Sequence, residues 1–414
     1  MAKNKKRKRE RMVSMIYKAV CGDRISGLAF GTMRLPQKDG AIDQEQVNNM
    51  TDYAIEHGVN YFDTAYPYHD GRSELAIGEA LSKHPRDSFY LADKFPGHQF
   101  MKEYDCKGIF EEQLAKCRVD YFDFYLLHNI YENSLPTYKN EEYGIIDYFA
   151  EQKKQGRIRH LGFSTHARAE NLEDILDYLE SRLGGKPDFC QIQLNYMDWT
   201  LQDAKAKVEL LGSRGIPVMV MEPVRGGKLA DLGEDNNARL KAARPDETIA
   251  SWAFRWLMDI PEVATVLSGM SSFEQMADNV KTFSEGKSLT DEEKDMLMEI
   301  AESIKQGVPC TACRYCCEGC PMELDIPMLL AGYNDLKFQS SLTVGMQMDG
   351  TPKEKWPHSC IGCGACAAVC PQQIDIPSVM KEFAEMLDKS PSWAELCKQR
   401  EEAAEKLRSQ TGTD

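Results

Sequence analysis

Two cysteine runs decide what the C-terminal third of this chain can become. Cys310, Cys313, Cys316 and Cys320 are followed by Pro321, and Cys360, Cys363, Cys366 and Cys370 by Pro371. Both read C-x2-C-x2-C-x3-C-P. Three thiolates at that spacing sit on one tight loop and reach three irons of a [4Fe–4S] cubane, one thiolate per iron. The fourth, beside its proline, turns away and ligates the other cluster. The expected ligand sets are therefore Cys310, Cys313, Cys316 and Cys370 for one cluster, and Cys360, Cys363, Cys366 and Cys320 for the second. Zinc usually takes two C-x2-C pairs separated by a longer loop, and disulfide scaffolds belong to short secreted chains. Eight ligands suffice for two clusters. Cys317 is then a spare thiol, and Cys21, Cys106, Cys117, Cys190 and Cys397 read as isolated, mostly buried cysteines.

Length and charge bound the rest. A chain of 414 residues has room for a large core plus a small domain. A net charge of −15 argues against nucleic acid or an anionic membrane as partner. No apolar run is long enough to span a bilayer. The Lys- and Arg-rich start, Met1 to Met12, lacks the apolar stretch of a signal peptide. It reads as a disordered basic extension over residues 1–14 rather than a nucleic-acid arm, or as a misread upstream start, with Met12 or Met15 beginning the real domain. Thiolate clusters point to a reducing, oxygen-poor cytoplasm.

After a short hairpin, Met15 to Ser26, with its turn expected at Gly22-Asp23, the chain alternates β runs and amphipathic helices. Eight strands are expected: Leu28–Thr32, Tyr61–Thr64, Phe89–Lys94, Phe122–His128, Ile158–Ser164, Phe189–Asn195, Pro217–Glu222 and Val263–Gly269. Between them, Leu172, Ile175, Leu176, Leu179 and Leu183 recur at the helical period. Eight βα units in about 270 residues fit an α/β TIM barrel. An open doubly wound sheet would show a Gly-rich loop after its first strand, and Gly31-Thr32-Met33 is not one. The organisation expected is a barrel over 15–285, a helical connector over 286–306, a small helical two-cluster domain over 307–390, and a polar terminal helix and tail over 391–414. Gly345 to Trp356 reads as an inserted surface loop. Asp-Ile-Pro follows each Cys-Pro elbow, which marks an internal duplication.

TIM barrels carry reactive groups at the C-terminal ends of their strands. Asp63 ends the second strand with Tyr68 five residues on, Lys94 ends the third, and His128 ends the fourth. All four should meet at one mouth. With Gly31-Thr32-Met33, Asp63-Thr64-Ala65-x-x-Tyr68, Lys94, Leu126-Leu127-His128 and Gly162-Phe163-Ser164 in this order, the chain resembles the aldo-keto reductase family. The cysteine half resembles a two-cluster bacterial ferredoxin module attached to one branch of that family. The resemblance implies a nicotinamide-dependent carbonyl reductase or alcohol dehydrogenase with the tetrad Asp63, Tyr68, Lys94 and His128. Tyr68 would be the general acid, Lys94 would lower its pKa from about 10, Asp63 would fix Lys94, and His128 would orient the carbonyl or relay the proton.

By the same resemblance, Ser164 and Gln191 hold the nicotinamide amide, with Gln193 as the alternative to Gln191. Thr165 stands where asparagine is common. Glu222 to Gly227 resembles the loop over the pyrophosphate, with Pro223 and Gly226 as contacts. Gly269, Gln275 and Asn279 fall at the adenosine end. Gln275 sits where NADPH-preferring members often carry arginine, so NADP(H) and NAD(H) both stay open. Tyr66, Trp199 and Arg34 are candidate pocket walls, and His166 either contacts substrate or makes a structural hydrogen bond. Hydride chemistry moves two electrons and a cubane moves one. Three readings remain: a reductase exchanging electrons with a ferredoxin or flavin partner, a reductase with structural clusters, or an electron-transfer adaptor with a non-catalytic barrel. A small carbonyl or alcohol is the substrate under the first two.

Overall fold

The computed structural model describes residues 14–304, 307–310, 312–338, 342–389 and 391–411. The basic extension expected over residues 1–14 lies outside them, except for Ser14. Eight parallel strands close into a barrel: β1 (Leu28–Gly31), β2 (Tyr61–Asp63), β3 (Tyr90–Phe95), β4 (Phe122–Leu127), β5 (Ile158–Thr165), β6 (Cys190–Gln193), β7 (Val218–Met221) and β8 (Val263–Gly269). β8 returns to β1 with Val266 opposite Leu28 and Gly269 opposite Gly31, so no sheet edge is left open.

Alternation along each strand sorts the side chains into two cores. Ala29, Tyr61, Ala92, Phe124, Leu126, Phe189, Met219 and Leu267 fill the barrel. Phe62, Leu91, Tyr125, Leu127 and Ile192 face outward under the helices. Two steps beyond Tyr61, Ala92 and Leu126, the same inward face carries Asp63, Lys94 and His128. The interior is tight: a Cβ on Gly162 would meet the Phe189 carbonyl oxygen at 2.4 Å.

A hairpin, Tyr17–Val20 with Asp23–Ser26, packs Val20 and Ile25 into the barrel interior. Its turn is Cys21-Gly22, one residue earlier than expected, because both central positions take positive φ (54° and 93°).

Beyond β8 come α1 (Phe273–Glu285) and α2 (Asp291–Ile304). The expected connector, α2, buries Leu297, Ile300 and Ala301 in the barrel's outer core. The cysteine half has a core of its own, in which α3 (Ile326–Phe338) and α5 (Ile376–Leu387) bring Leu329, Leu330, Met380 and Phe383 against Cys316 and Cys366.

Two expectations here are corrected. The segment expected as a surface loop from Gly345 begins as α4 (Leu342–Asp349), a bridge between the cores. Its Val344 and Met348 join the cysteine-domain core, while Met346 joins the barrel core. The terminal helix α6 (Trp393–Thr411) is polar only on its outer side; Trp393 and Cys397, each 1% exposed, pack into the barrel core.

A buried ion pair joins the halves. Arg225, in the loop after β7, lies 2.6 Å from Asp335 of α3 and 3.2 Å from Asp198, and Gln202 donates to Asp335 at 3.1 Å. Truncating Asp335 leaves part of a buried guanidinium unsatisfied. Asp335→Ala is expected to cost about 1–3 kcal/mol, read as a lower thermal midpoint of the cluster-loaded protein; an unchanged midpoint refutes this.

Candidate active site

Lys94 is fully buried at the end of β3 and donates to Asp63 Oδ1 at 2.5 Å and to the Thr64 carbonyl oxygen at 2.6 Å. Its ammonium stands 5.0 Å from the centre of the Tyr68 ring. Tyr68 meets His128 edge-on, with ring centres 6.2 Å apart and planes at 83°. The four predicted residues thus share one mouth.

Their protonation follows from burial first. Burial pushes the Tyr68 hydroxyl above the ordinary tyrosine value, and Lys94 pulls the other way without overcoming it. The expected lowering is therefore corrected: Lys94 limits a rise caused by desolvation. Burial opposes the Lys94 ammonium, yet Asp63 and then Tyr68 hold its pKa above the usual lysine range. Burial, reinforced by His98 and Lys94, holds His128 well below the ordinary histidine value, so its imidazole is neutral.

A cavity of about 520 Å³ opens beside this group. Tyr68, Gln191, Pro223, Gly226, Gly269, Gln275 and Asn279 line it, together with Arg34 and Glu222. Gly226 and Gly227 take φ of 64° and 96°, which lets bare backbone face the cavity. Gln191 Oε1 is buried without a partner, whereas Gln193 donates to Asp198 at 2.7 Å. The two glutamines are thereby distinguished. Ser164 and Thr165 are not among the lining residues. Ser164 Oγ accepts from Asn129 N–H at 2.8 Å, and Thr165 Oγ1 from Ala167 N–H at 2.8 Å. At the far end, the Gln275 amide oxygen accepts from Ser271 N–H at 2.8 Å, and Asn279 donates to Ser268 at 3.0 Å. Arg34 and Glu222 approach to 3.6 Å across the opening.

The cysteines divide as their spacing predicts. Cys310, Cys313, Cys316 and Cys370 line one small cavity. Cys320, Cys360, Cys363 and Cys366 line another. The duplication is visible in the backbone, since Ala312, Arg314 and Glu323 take positive φ where Gly362, Gly364 and Gln373 do so in the second repeat. The first such turn aims the Ala312 N–H at Cys310 Sγ, 3.5 Å away. Thiolate donors arranged in this way fit iron–sulfur clusters.

The aldo/keto reductase family model matches residues 27–302, and a 4Fe-4S dicluster model matches 309–374. The chain belongs to the aldo/keto reductase family. It is 24% identical to the NADH-specific methylglyoxal reductase of Escherichia coli (strain K12), over 68% of this chain and 96% of that protein. It is 27% identical to L-galactose dehydrogenase of Arabidopsis thaliana, over 65% and 87%. The holo form of a Bacillus halodurans aldo-keto reductase superposes with a TM-score of 0.56 at 25% identity, over 69% of this chain and 96% of that one. The dicluster domain implies two clusters. Among the described residues no helix is long and apolar enough to cross a membrane.

Around this reductase mouth the structure adds groups that strand-end reasoning missed. His98, four residues beyond Lys94, packs on His128 with ring centres 4.2 Å apart, and Trp393 of α6 lies over His98 at 5.7 Å. The strand-end rule, extended a few residues, would have found His98; no local signal marks Trp393. Met346 receives a hydrogen bond from Asn129 Nδ2 at 3.3 Å. Of the candidate walls, Arg34 lines the cavity, and His166 lies close enough to His98 and His128 to depress both. Tyr66 instead bonds Arg408, and Trp199 packs on Trp256 at 5.2 Å.

Crossed ligation has a direct check. Cys370→Ala should damage the same cluster as Cys313→Ala, and Cys320→Ala the same one as Cys363→Ala. EPR of the reduced proteins should sort the four variants into those two pairs; sorting by position in sequence refutes the assignment.

Proposed function

We propose that this aldo/keto reductase interconverts a small carbonyl compound and an alcohol, using NADH, and that two [4Fe–4S] clusters exchange electrons with a ferredoxin or flavin partner. The observation that carries the catalytic part is the buried Lys94 ammonium, held by Asp63 and facing the Tyr68 ring at the floor of the cavity.

A bound reduced nicotinamide would supply the hydride. The unpartnered Gln191 amide oxygen suits its carboxamide, and the loop from Pro223 to Gly227 suits its phosphates. Tyr68 stays protonated at neutral pH and gives its proton to the carbonyl oxygen. The phenolate left behind faces the Lys94 cation, which stabilises it. Neutral His128 can donate one N–H to the same oxygen and orient it. Ser164 and Thr165 support the mouth through the turns they stabilise.

Several features favour NADH. Gln275 brings no positive charge, and Glu274 and Asp278 line the same end of the cavity. A 2′-phosphate there would face carboxylates. Arg34 is engaged with Glu222. The similar Escherichia coli enzyme is named for NADH specificity.

Electron exchange is supported by exposure at the cluster loops. Cys313 and Cys363 are exposed, and Tyr315 and Ile361 stand 60% and 63% exposed beside them. A second reading, clusters that only brace the barrel, is favoured by the Arg225–Asp335 bridge. A barrel that merely docks a partner has no use for a costly buried ion pair at its mouth.

One anaerobic preparation tests these points. Tyr68→Phe should lower kcat for carbonyl reduction by about 10²–10⁴-fold with iron content unchanged. NADH should exceed NADPH in kcat/KM by about tenfold, or ~1.4 kcal/mol. Full activity in Tyr68→Phe would falsify the catalytic assignment. Clusters that a reduced ferredoxin or flavin donor cannot bleach would leave only the bracing role.

A further inference from the structure

The loop after β7 has an unusual backbone, and both halves of the molecule hold it. Glu222, Arg225, Gly226 and Gly227 take positive φ, at 54°, 47°, 64° and 96°. Glycine enters that region freely, whereas glutamate and arginine do so at a cost. Such residues persist where their surroundings fix them. Val224, Gly226 and Gly227 line the cavity beside Tyr68, and Arg225 between them is not among the lining residues. Its side chain makes the anchoring contacts instead.

Arg225 is buried, with Nε 3.2 Å from Asp198 Oδ1 and Nη2 2.6 Å from Asp335 Oδ1. Each carboxylate is placed by a different half. Asp198, just beyond β6, accepts from Gln193 at 2.7 Å and from Asn195 at 2.6 Å. Asn195 also donates to the Glu222 carbonyl oxygen at 3.0 Å, so the barrel grips the start of the loop directly.

Asp335 comes from the cysteine half, on α3. The residue before it, Asn334, accepts from Val308 N–H at 2.8 Å and donates to the Val308 carbonyl oxygen at 3.0 Å, two positions ahead of Cys310. Leu329 and Leu330 of the same helix pack in the core that holds Cys316 and Cys366. Adjacent residues of one helix therefore touch the approach to a cluster loop and the loop beside the cavity. Asp198 alone would hold one edge of the guanidinium; Asp335 holds the other and fixes its orientation. A loop already ordered before a ligand arrives loses less freedom on binding, which raises affinity.

We propose that Asp335 is a positioning residue for the nucleotide: by anchoring Arg225 it keeps the 222–227 loop in its binding form, so that the dicluster domain completes the nucleotide site of the barrel. This rests on the proposed nucleotide binding in that cavity. Asp335 acts only through Arg225.

The test uses anaerobic, cluster-loaded protein and calorimetry with NAD⁺ and with NADP⁺. Asp335→Asn, which keeps the shape and removes the charge, should raise the Kd of the tighter nucleotide about tenfold at unchanged iron content. Asp335→Glu, which keeps the charge, should recover part of the affinity. Arg225→Met should weaken binding at least as much, and the double variant Arg225→Met/Asp335→Asn no further, because the two residues act as a unit. Asn133→Ala removes a different bridge between the halves, the 3.0 Å bond to the Met346 carbonyl oxygen, and should leave Kd unchanged. Hydrogen exchange without nucleotide reads the loop itself. Gly227 and Leu229 N–H both donate to the Val224 carbonyl oxygen, at 3.0 and 3.1 Å, and should exchange faster in Asp335→Asn than in wild type. Faster exchange, with neither nucleotide bound by wild type, sustains the hold of Asp335 on the loop and sinks the nucleotide reading. Unchanged exchange, an unchanged Kd in Asp335→Asn, an equal rise in Asn133→Ala, or additive losses in the double variant overturns the proposal.

Discussion

The Lys94–Asp63 contact, fully enclosed at the end of two neighbouring strands, is the interaction on which the mouth depends. An ion pair so far from water adds little to stability compared with well-packed apolar residues. Its value lies in holding one positive charge at a fixed place, beneath the Tyr68 ring. Removing either partner strands the other in a medium that cannot solvate it. The carbonyl oxygen of Thr64 adds a third point of attachment, and the register of β2 with β3, Asp63 opposite Ala92, sets how far Lys94 lies beyond Asp63. The barrel is in this sense a frame that prevents the ammonium from reaching solvent.

Much of this was readable in the chain because strand geometry has a period of two. Once Tyr61, Ala92 and Leu126 are recognised as inward-facing, Asp63, Lys94 and His128 must follow on the same face. The cysteine quartets were equally legible, because cubane coordination leaves few ways to space thiolates. What escaped was set by packing. The direction of the Tyr68 shift depends on how completely the ring is enclosed, and no run of residues states that. Ser164 and Thr165 stand in the expected register, Thr165 where asparagine is common, and each hydroxyl oxygen accepts a local N–H. α4 looked like a loop because Gly345 and Gly350 flank its two buried methionines. α6 looked polar because its inward stripe is mainly small residues, Cys397 and Ala404, with Trp393 as the single large anchor.

The two halves are less separate than their sequence signatures. The cysteine domain has its own apolar core, but α4 belongs to both cores and α3 reaches Arg225 in the loop that borders the cavity beside Tyr68. Packed helices thus connect the thiolate loops to that loop and, through Trp393, to His98.

The position of α6 has a consequence for how the molecule comes into being. Domains generally fold as they emerge during synthesis, the N-terminal ones first. The barrel strands and all four tetrad residues are complete long before Trp393 and Arg400 leave the ribosome, and both cysteine loops emerge in between. A nascent barrel therefore has Tyr68 in place before Trp393 can cover His98. The Trp393–His98 contact therefore forms only after the segment that holds the thiolates has had its turn to be filled.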